Sequence, residues 1–398
     1  MLSSLSNLKN NRTLLAISIC ELLRVMAGSG AWVFIPIYLV TIRNIPYIIV
    51  GLLFLISSLL TIPTSIYGGN LIDRIGRKKI ALLMPPFIMI LYLTMSISIY
   101  LDSSILLIFA AFISIGPLSS VQYITDTVMI TDTTPEKERI NAYSIIRITS
   151  NIGFSIGPAL GGIVVIFNYA YVALIPAIGA IAELFLYLRL VTETLPEKKV
   201  EKNKRANLSF PYEDRLFILI AFLLAMSWFA TSPWQYITNQ FFSKAYTLSG
   251  WEIGMLFSVN GLTVISLQLP INTLLKRISD MNRMSLGLVV YASTFFVIGL
   301  TRNLYLLVID VIFLTCGENI ISPPTSNIIA KIAPPNRRGV YFGSFSMING
   351  IVSPFSPVFY EYLLSLLISE PIMLWGIVSI ICVVLSVTLF LFQRAKKV

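Results

Sequence analysis

Chemistry has few places to reside in this sequence. Its 398 residues include no histidine, 19 Asp and Glu, and three cysteines. Cys20, Cys316 and Cys382 stand singly in apolar runs, without the spacing of a disulfide framework or a thiolate metal site. Imidazole ligands and imidazole bases are excluded, so carboxylates are the groups left to carry protons. Seven ionisable residues interrupt long apolar runs: Glu21, Arg24, Asp126, Arg147, Glu183, Asp310 and Glu318. An ionised side chain at the centre of a membrane helix costs about 2.5–3.5 kcal/mol, so seven left alone would cost on the order of 20 kcal/mol. They must pair, take up protons or line water.

Glu21 and Arg24 are three residues apart and share one helix face. Either they neutralise one another, or both face a cavity in which Glu21 exchanges a proton. Arg147 is a second basic partner for such a cavity. Glu183 has a simpler expectation, a side chain reaching toward Arg189. Glu318 lies near the middle of its run and Asp310 nearer its outer end. Asn319 follows, and Pro323-Pro324 is expected to interrupt the helix. The proton-exchange candidates are thus Glu318 first, Glu21 second and Asp310 third. A further run carries Trp228, Trp234, Gln235, Tyr236, Asn239 and Gln240. Gln235 and Asn239 share a face, with Trp228 one heptad before Gln235, a set suited to an amphipathic solute. Near a helix end the same residue types serve as interface anchors. Gln122 extends the face of Asp126. Gln122, Trp228, Gln235, Asn239 and Asn319 are the candidates for substrate contact.

The elements that must position these groups follow from composition. The chain is 56% hydrophobic and 12% charged, where soluble domains are about 45–50% apolar and about 25% charged. Such a composition excludes a soluble enzyme, a nucleic-acid binder and a disordered scaffold. Runs long enough to cross a bilayer fall at 13–41, 46–69, 80–101, 104–130, 140–167, 169–191, 215–243, 250–275, 283–301, 303–330, 338–362 and 371–393. They do not alternate as barrel strands do, and helices are the remaining way to satisfy a backbone in lipid. The net charge is +10, from 29 Lys and Arg. Arg24 and Arg147 lie well within runs, and Arg43, Lys244 and Arg302 in one set of connections; the other 24 lie in the alternate connections, at the run edges that border them, and at the two ends. By the positive-inside rule, this bias places both termini in the cytoplasm. The charge is therefore a topology signal and implies no nucleic-acid partner. The lysine-rich stretch within 196–213 divides residues 1–195 from 214–398, two halves of six spans each.

Between the second and third runs stands Gly69-x-Leu71-x-Asp73-Arg74-x-Gly76-Arg77-Lys78-Lys79. This string resembles the signature loop of the major facilitator superfamily, and the resemblance extends along nearly the whole chain. It implies a conformational latch of Gly69, Asp73, Arg74, Gly76 and Arg77, with Asp126 as the matching acid of the fourth helix. The halves also resemble one another. Leu71-x-x-Arg74-Ile75 recurs as Leu274-x-x-Arg277-Ile278, and Arg139, Tyr143 and Pro158 recur as Arg338, Phe342 and Pro357. The fifth run contains Gly153-x-x-x-Gly157-Pro158-x-x-Gly161-Gly162. It is either a packing motif of small residues or, by resemblance, the antiporter signature of drug/proton exporters. Two positions depart from that pattern. Ser144 replaces an expected glycine, and Phe112 stands where many relatives have a proton-linked arginine.

The expected fold is an all-α membrane protein of twelve transmembrane helices in two pseudo-symmetric six-helix bundles, the major facilitator fold. The expected function is secondary transport, proton-coupled export of a small amphipathic solute by alternating access. An uptake symporter for a sugar or organic acid is the alternative, and a non-transporting receptor or partner subunit the alternative of another class. The chain has no nucleotide-binding loop and no metal or catalytic constellation, so neither cofactor nor enzymatic activity is expected. The expected partners are a small-molecule substrate, protons and the lipid bilayer. The expected state is a monomer in the plasma membrane.

Overall fold

The structure, a computed structural model, describes residues 11–195, 211–334 and 337–396. Most of the linker expected at 196–213 lies outside the described residues. Twelve long helical segments account for the rest. They are α1 (Arg12–Thr41), α2 (Tyr47–Ile75), α3 (Arg77–Tyr100), α4 (Ile105–Thr133), α5 (Arg139–Val164) and α6 (Ala170–Leu190). After the linker come α7 in three pieces (Arg215–Thr231, Pro233–Tyr236 and Thr238–Lys244), α8 (Gly250–Leu274), α9 (Asp280–Leu300) and α10 (Leu304–Ile332). α11 has two pieces (Arg338–Val352 and Phe355–Leu367), and α12 (Pro371–Lys396) ends the series.

Eleven of these segments are long and apolar enough to cross a membrane. α5 is the exception, because its first half carries Arg139, Asn141, Arg147, Thr149, Ser150 and Asn151. Its opposite half is apolar, and the helix is amphipathic rather than uniformly greasy. Side-chain caps fix several starts. Asn11 accepts the Leu14 N–H at 3.0 Å, Asp214 the Phe217 N–H at 2.9 Å, and Asn303 the Tyr305 N–H at 3.0 Å.

Two expectations about breaks need correction. Pro323-Pro324 does not interrupt α10, which runs through both prolines; helices in lipid tolerate proline when neighbouring groups absorb the lost hydrogen bonds. The break falls instead in α7, at Ser232 and Ile237 around Pro233. The heptad spacing of Trp228 and Gln235 therefore does not put them on one face. Gln235 is exposed, Trp228 half-buried and Asn239 buried.

The chain forms two compact units. Unit 1 holds residues 1–45, 53–200 and 248–261; unit 2 holds 46–52, 201–247 and 262–398. Within unit 1, α1 packs on α5 and α6, and α3 on α4 and α6. Within unit 2, α9 packs on α10 and α12, and α7 on α11. The pairs α1–α5, α3–α4 and α3–α6 thus return as α7–α11, α9–α10 and α9–α12, the duplication that the repeated residues announced.

The small residues of α5 are a packing device on two sides. A Cβ on Gly153 would meet the Leu22 carbonyl at 2.8 Å, and one on Gly161 would meet Gly30 Cα at 2.9 Å. One on Gly157 would overlap Ser29 Oγ and the Met26 carbonyl. That face admits α1 backbone to backbone, as small residues four apart allow. Pro158 and Gly162 lie against Gly254 and Gly250 in the first turns of α8, a segment that belongs to unit 1.

A side chain at Gly157 has nowhere to go, because the Met26 carbonyl is backbone and cannot move aside as Ser29 Oγ could. Gly157→Val should cost at least the ~1–3 kcal/mol typical of overpacking, read as a lower unfolding midpoint in detergent. Gly343→Ala, with open space around it, should unfold with the parent. Equal midpoints for Gly157→Val and the parent would contradict the close approach of α1 and α5.

Candidate functional site

Four helices of unit 1 contribute to one charge cluster, and three of them place an acid against the same guanidinium. α1 contributes Glu21 and Arg24 one turn apart. α4 contributes Gln122 and Asp126, and α6 contributes Glu183 and Tyr187, each pair at the i, i+4 spacing that shares a face. Arg24 Nη2 donates to Asp126 Oδ2 at 2.9 Å and to Glu21 Oε2, and Nη1 lies 3.7 Å from Glu183 Oε1. Tyr187 donates its hydroxyl proton to Asp126 Oδ1 at 2.6 Å. Gln122 Nε2 donates to the same oxygen at 3.1 Å and to Tyr187 Oη at 2.8 Å. From α5, Ser150 Oγ donates to Glu21 Oε1 at 3.0 Å.

The cluster is dry. Asp126 and Glu183 are each 3% exposed, Glu21 7%, and Gln122 and Tyr187 fully buried. Asp126 and Glu183 both sit seven residues from the ends of their helices, Thr133 and Leu190, about 10 Å along the axis. Three carboxyls thus face one arginine. If all three ionise, two negative charges are left uncompensated. A proton or a cation at the cluster offsets them. The acids are not held alike. Asp126 accepts from Arg24, Tyr187 and Gln122, and Glu21 accepts from Arg24 and Ser150. Glu183 accepts no hydrogen bond among the described residues, and its Oε1 is buried without a partner.

A second charge group lies where α2 gives way to α3. The expected loop is a single turn residue, Gly76, at φ +111°; only glycine takes that conformation without strain. Arg77 Nη2 pairs with Asp73 at 3.2 Å, and Nε with Asp132 Oδ2 at 3.1 Å. Thr194 Oγ1 donates to the same Asp132 oxygen at 3.1 Å. Asp126, expected from the resemblance as the matching acid, is therefore not the partner of Arg77. α4 continues past 130 to Thr133, which carries Asp132 to Arg77 and leaves Asp126 nearly two turns deeper, beside Arg24. Arg74 and Asp73 are exposed, and a Cβ on Gly69 would meet nothing within 4 Å.

Glu193, which the sequence reading passed over, completes the turn. Its carboxylate accepts the backbone N–H groups of Arg77 at 2.9 Å, Lys78 at 3.2 Å, and Thr194 and Leu195 at 3.0 Å each. The first two are unsatisfied donors at the start of α3. Partial burial opposes the charge, but the N–H groups of Leu195, Arg77, Thr194 and Lys78 outweigh it and hold the carboxyl below its ordinary value of 4.5. An acid just past one helix and facing the start of another was the available signal. In unit 2 the corresponding turn has Lys331 Nζ on Asp280 at 2.7 Å.

The remaining candidates scatter. Glu183 turns to Arg24, not to Arg189, which is exposed. Arg147 is exposed on α5 and forms no ion pair among the described residues; the arginine that balances buried acids is Arg24. Asp310, Glu318 and Asn319 lie along α10 in unit 2. Asp310 is buried with Oδ2 unpartnered, Asn319 is buried, and Glu318 is half-buried within electrostatic reach of Tyr291. Sequence reasoning missed Glu361, which is fully buried on α11. The eleventh run was ended at 362, which put this acid at a boundary, whereas the helix continues to Leu367.

The family model described as Major Facilitator Superfamily matches residues 17–283 and 217–398. A Na+, Li+, K+/H+ antiporter of Planococcus maritimus is 26% identical over 342 residues, covering 77% of this chain and 80% of that protein. Multidrug resistance protein 2 of Bacillus subtilis (strain 168) is 22% identical over 338 residues, covering 82% of each. Among solved structures, the nucleoside transporter NupG superposes with a TM-score of 0.77 at 16% identity, over 95% of this chain and 98% of that one. A POT family transporter in complex with 5-aminolevulinic acid gives a TM-score of 0.77 at 16% identity, over 97% and 96%.

The Glu193 contacts make stability depend on acid in a stated direction. A carboxyl whose folded-state value is lowered contributes stability above its unfolded value, and loses it as pH falls through the lowered one. Below about pH 4.5 the unfolding midpoint of the parent should fall more steeply than that of Glu193→Gln, and above it the variant should be the less stable of the two. Parallel curves across that window would remove Glu193 from the turn's stability.

Proposed function

The chain belongs to the Major Facilitator Superfamily, and from that premise we propose that it exports a small amphipathic cation in exchange for protons. It is a multi-pass transporter and no enzyme. The observation that carries the exchange reading is the excess of carboxyls at Arg24, three buried acids for one partly buried base. Such a cluster binds positive charge one unit at a time, as a proton or as a cationic solute drawn by the same deficit. Competition for one negative site is the simplest physical form of antiport.

Within the cluster Glu183 carries the exchanged proton. It holds the longest contact to Arg24 and forfeits no accepted hydrogen bond on becoming neutral, whereas a proton on Asp126 must displace a donor from whichever oxygen it takes. Proton arrival at Glu183 frees Arg24 to close on Glu21 and Asp126; solute arrival reverses this. Access alternates between the two sides, with both termini in the cytoplasm of a plasma-membrane monomer. The relatives named as a cation/proton antiporter and as a multidrug resistance protein support a cationic solute.

The test uses the purified protein in vesicles with a pH dye in an acidic lumen. Adding ethidium outside should alkalinise the lumen in the parent, and Na+ or K+ should not. Glu183→Gln should reduce that rate to the one seen in protein-free vesicles. A lumen acidified by added sugar or organic acid would establish symport instead, and an unimpaired Glu183→Gln would move the exchange to another acid.

A further inference from the structure

Unit 2 contains a buried acid with a different chemistry around it. Glu361 stands on the second piece of α11 and is fully buried. Its Oε1 accepts Gln240 Nε2 from the last piece of α7, and the same nitrogen donates to the Tyr236 carbonyl at 3.0 Å. Its Oε2 is buried with no hydrogen-bond partner, and so are Gln240 Oε1 and the hydroxyls of Tyr47 and Tyr360. Glu361 forms no ion pair among the described residues. The titratable groups around it are Tyr47 on the first turn of α2, which lies within reach of its charge, Tyr360 beside it, and Cys382 on α12, which faces Tyr360. Gly51, one turn along from Tyr47, abuts the Glu361 Cβ. Tyr47 and Gly51 belong to the segment 46–52 of unit 2.

We propose that Glu361 is a second proton-binding carboxyl of this protein, served by the amide of Gln240. Every polar neighbour is neutral, a carboxamide or a hydroxyl. These are partners for a carboxylic acid, whereas a carboxylate held this deep calls for a cation. The proton goes to Oε2, the oxygen left without a donor, and the Gln240 N–H remains on Oε1. The new O–H then has unpartnered acceptors nearby, the amide oxygen of Gln240 or the hydroxyl of Tyr47. An amide suits both charge states of its neighbour, since it donates to the ion and accepts from the acid. An arginine at position 240 would hold the ion only.

The site also lies near a helix end. Glu361 is six residues before Leu367 and Gln240 four before Lys244, about 9 Å and 6 Å along the axes. Both residues thus stand within two turns of the helix ends that lead into 245–247 and 368–370. A role for this proton in transport rests on the exchange reading above; the existence of the site does not.

The two are separated by reading the carboxyl directly. Infrared difference spectra of the purified full-length protein, titrated between mildly acidic and alkaline pH, should show a protonated-carboxyl band that is lost on titration. A component of that band should vanish in Glu361→Gln and also in Gln240→Lys, where an ammonium keeps the acid ionised, but persist in Glu183→Gln. In vesicles, Glu361→Gln should lower the number of protons exchanged per solute. Persistence of the whole band in both site variants overturns the proposal. Loss of the component together with an unchanged proton count overturns its part in transport. If the parent shows no pH-driven flux, the exchange reading fails and the band still decides the site.

Discussion

Everything in unit 1 is arranged around the cost of holding charge out of water. Arg24 satisfies this constraint for three helices at once, because a guanidinium offers several N–H groups in a fixed plane. It binds the acid on its own helix, the acid of α4 and, more loosely, the acid of α6. For it to do so, α1 must lie deep among its neighbours. The glycine face of α5 makes this possible: Gly153, Gly157 and Gly161 bring the α1 backbone within contact of α5. Ser150, one turn before Gly153, then reaches Glu21. The fifth-helix motif and the charge cluster are thus one device. The motif sets the helix spacing, and the spacing lets one arginine pair with acids more than one hundred positions apart.

Unit 2 repeats the helix pairings without repeating the chemistry. Its buried acids, Asp310 and Glu361, form no ion pairs among the described residues, and the partner of Glu361 is an amide. Duplication has therefore preserved the backbone architecture, which small residues and apolar surfaces specify, while the polar residues diverged. Such a division suits a transporter. A shared arginine ties three helices to one charge, whereas an acid beside an amide has a partner that can serve it charged or neutral.

Much of the fold was legible because a bilayer allows so few solutions. Twelve apolar runs and the bias of lysine and arginine among the connections specify twelve helices, and the structure forms twelve segments. Face-sharing was legible too: Glu21 with Arg24, and Gln122 with Asp126, stand together as the helical spacing implies. Which helices meet was not. Spacing along one helix says nothing of its neighbours, so Glu183 was assigned to Arg189 on its own helix when its partner lies on α1. Helix ends were the other blind spot. Ending a run a few residues early moved Asp132 into a loop and set Glu361 at a margin, although each decides a site. Arg147, expected among cavity charges because it interrupts a run, is exposed on the amphipathic α5 and pairs with none of the buried acids among the described residues.

The central claim is that Arg24 makes the buried acids tolerable, and a double-mutant cycle on unfolding in detergent tests it most directly. Removing one partner of a buried pair leaves a charge uncompensated, at about 3–5 kcal/mol. Arg24→Leu should therefore be strongly destabilising near neutral pH. Combining it with Asp126→Asn should recover a large part of the loss, a coupling within the ~0.5–3 kcal/mol seen for residues in contact. Strictly additive effects, or an Arg24→Leu protein as stable as the parent, would contradict the account.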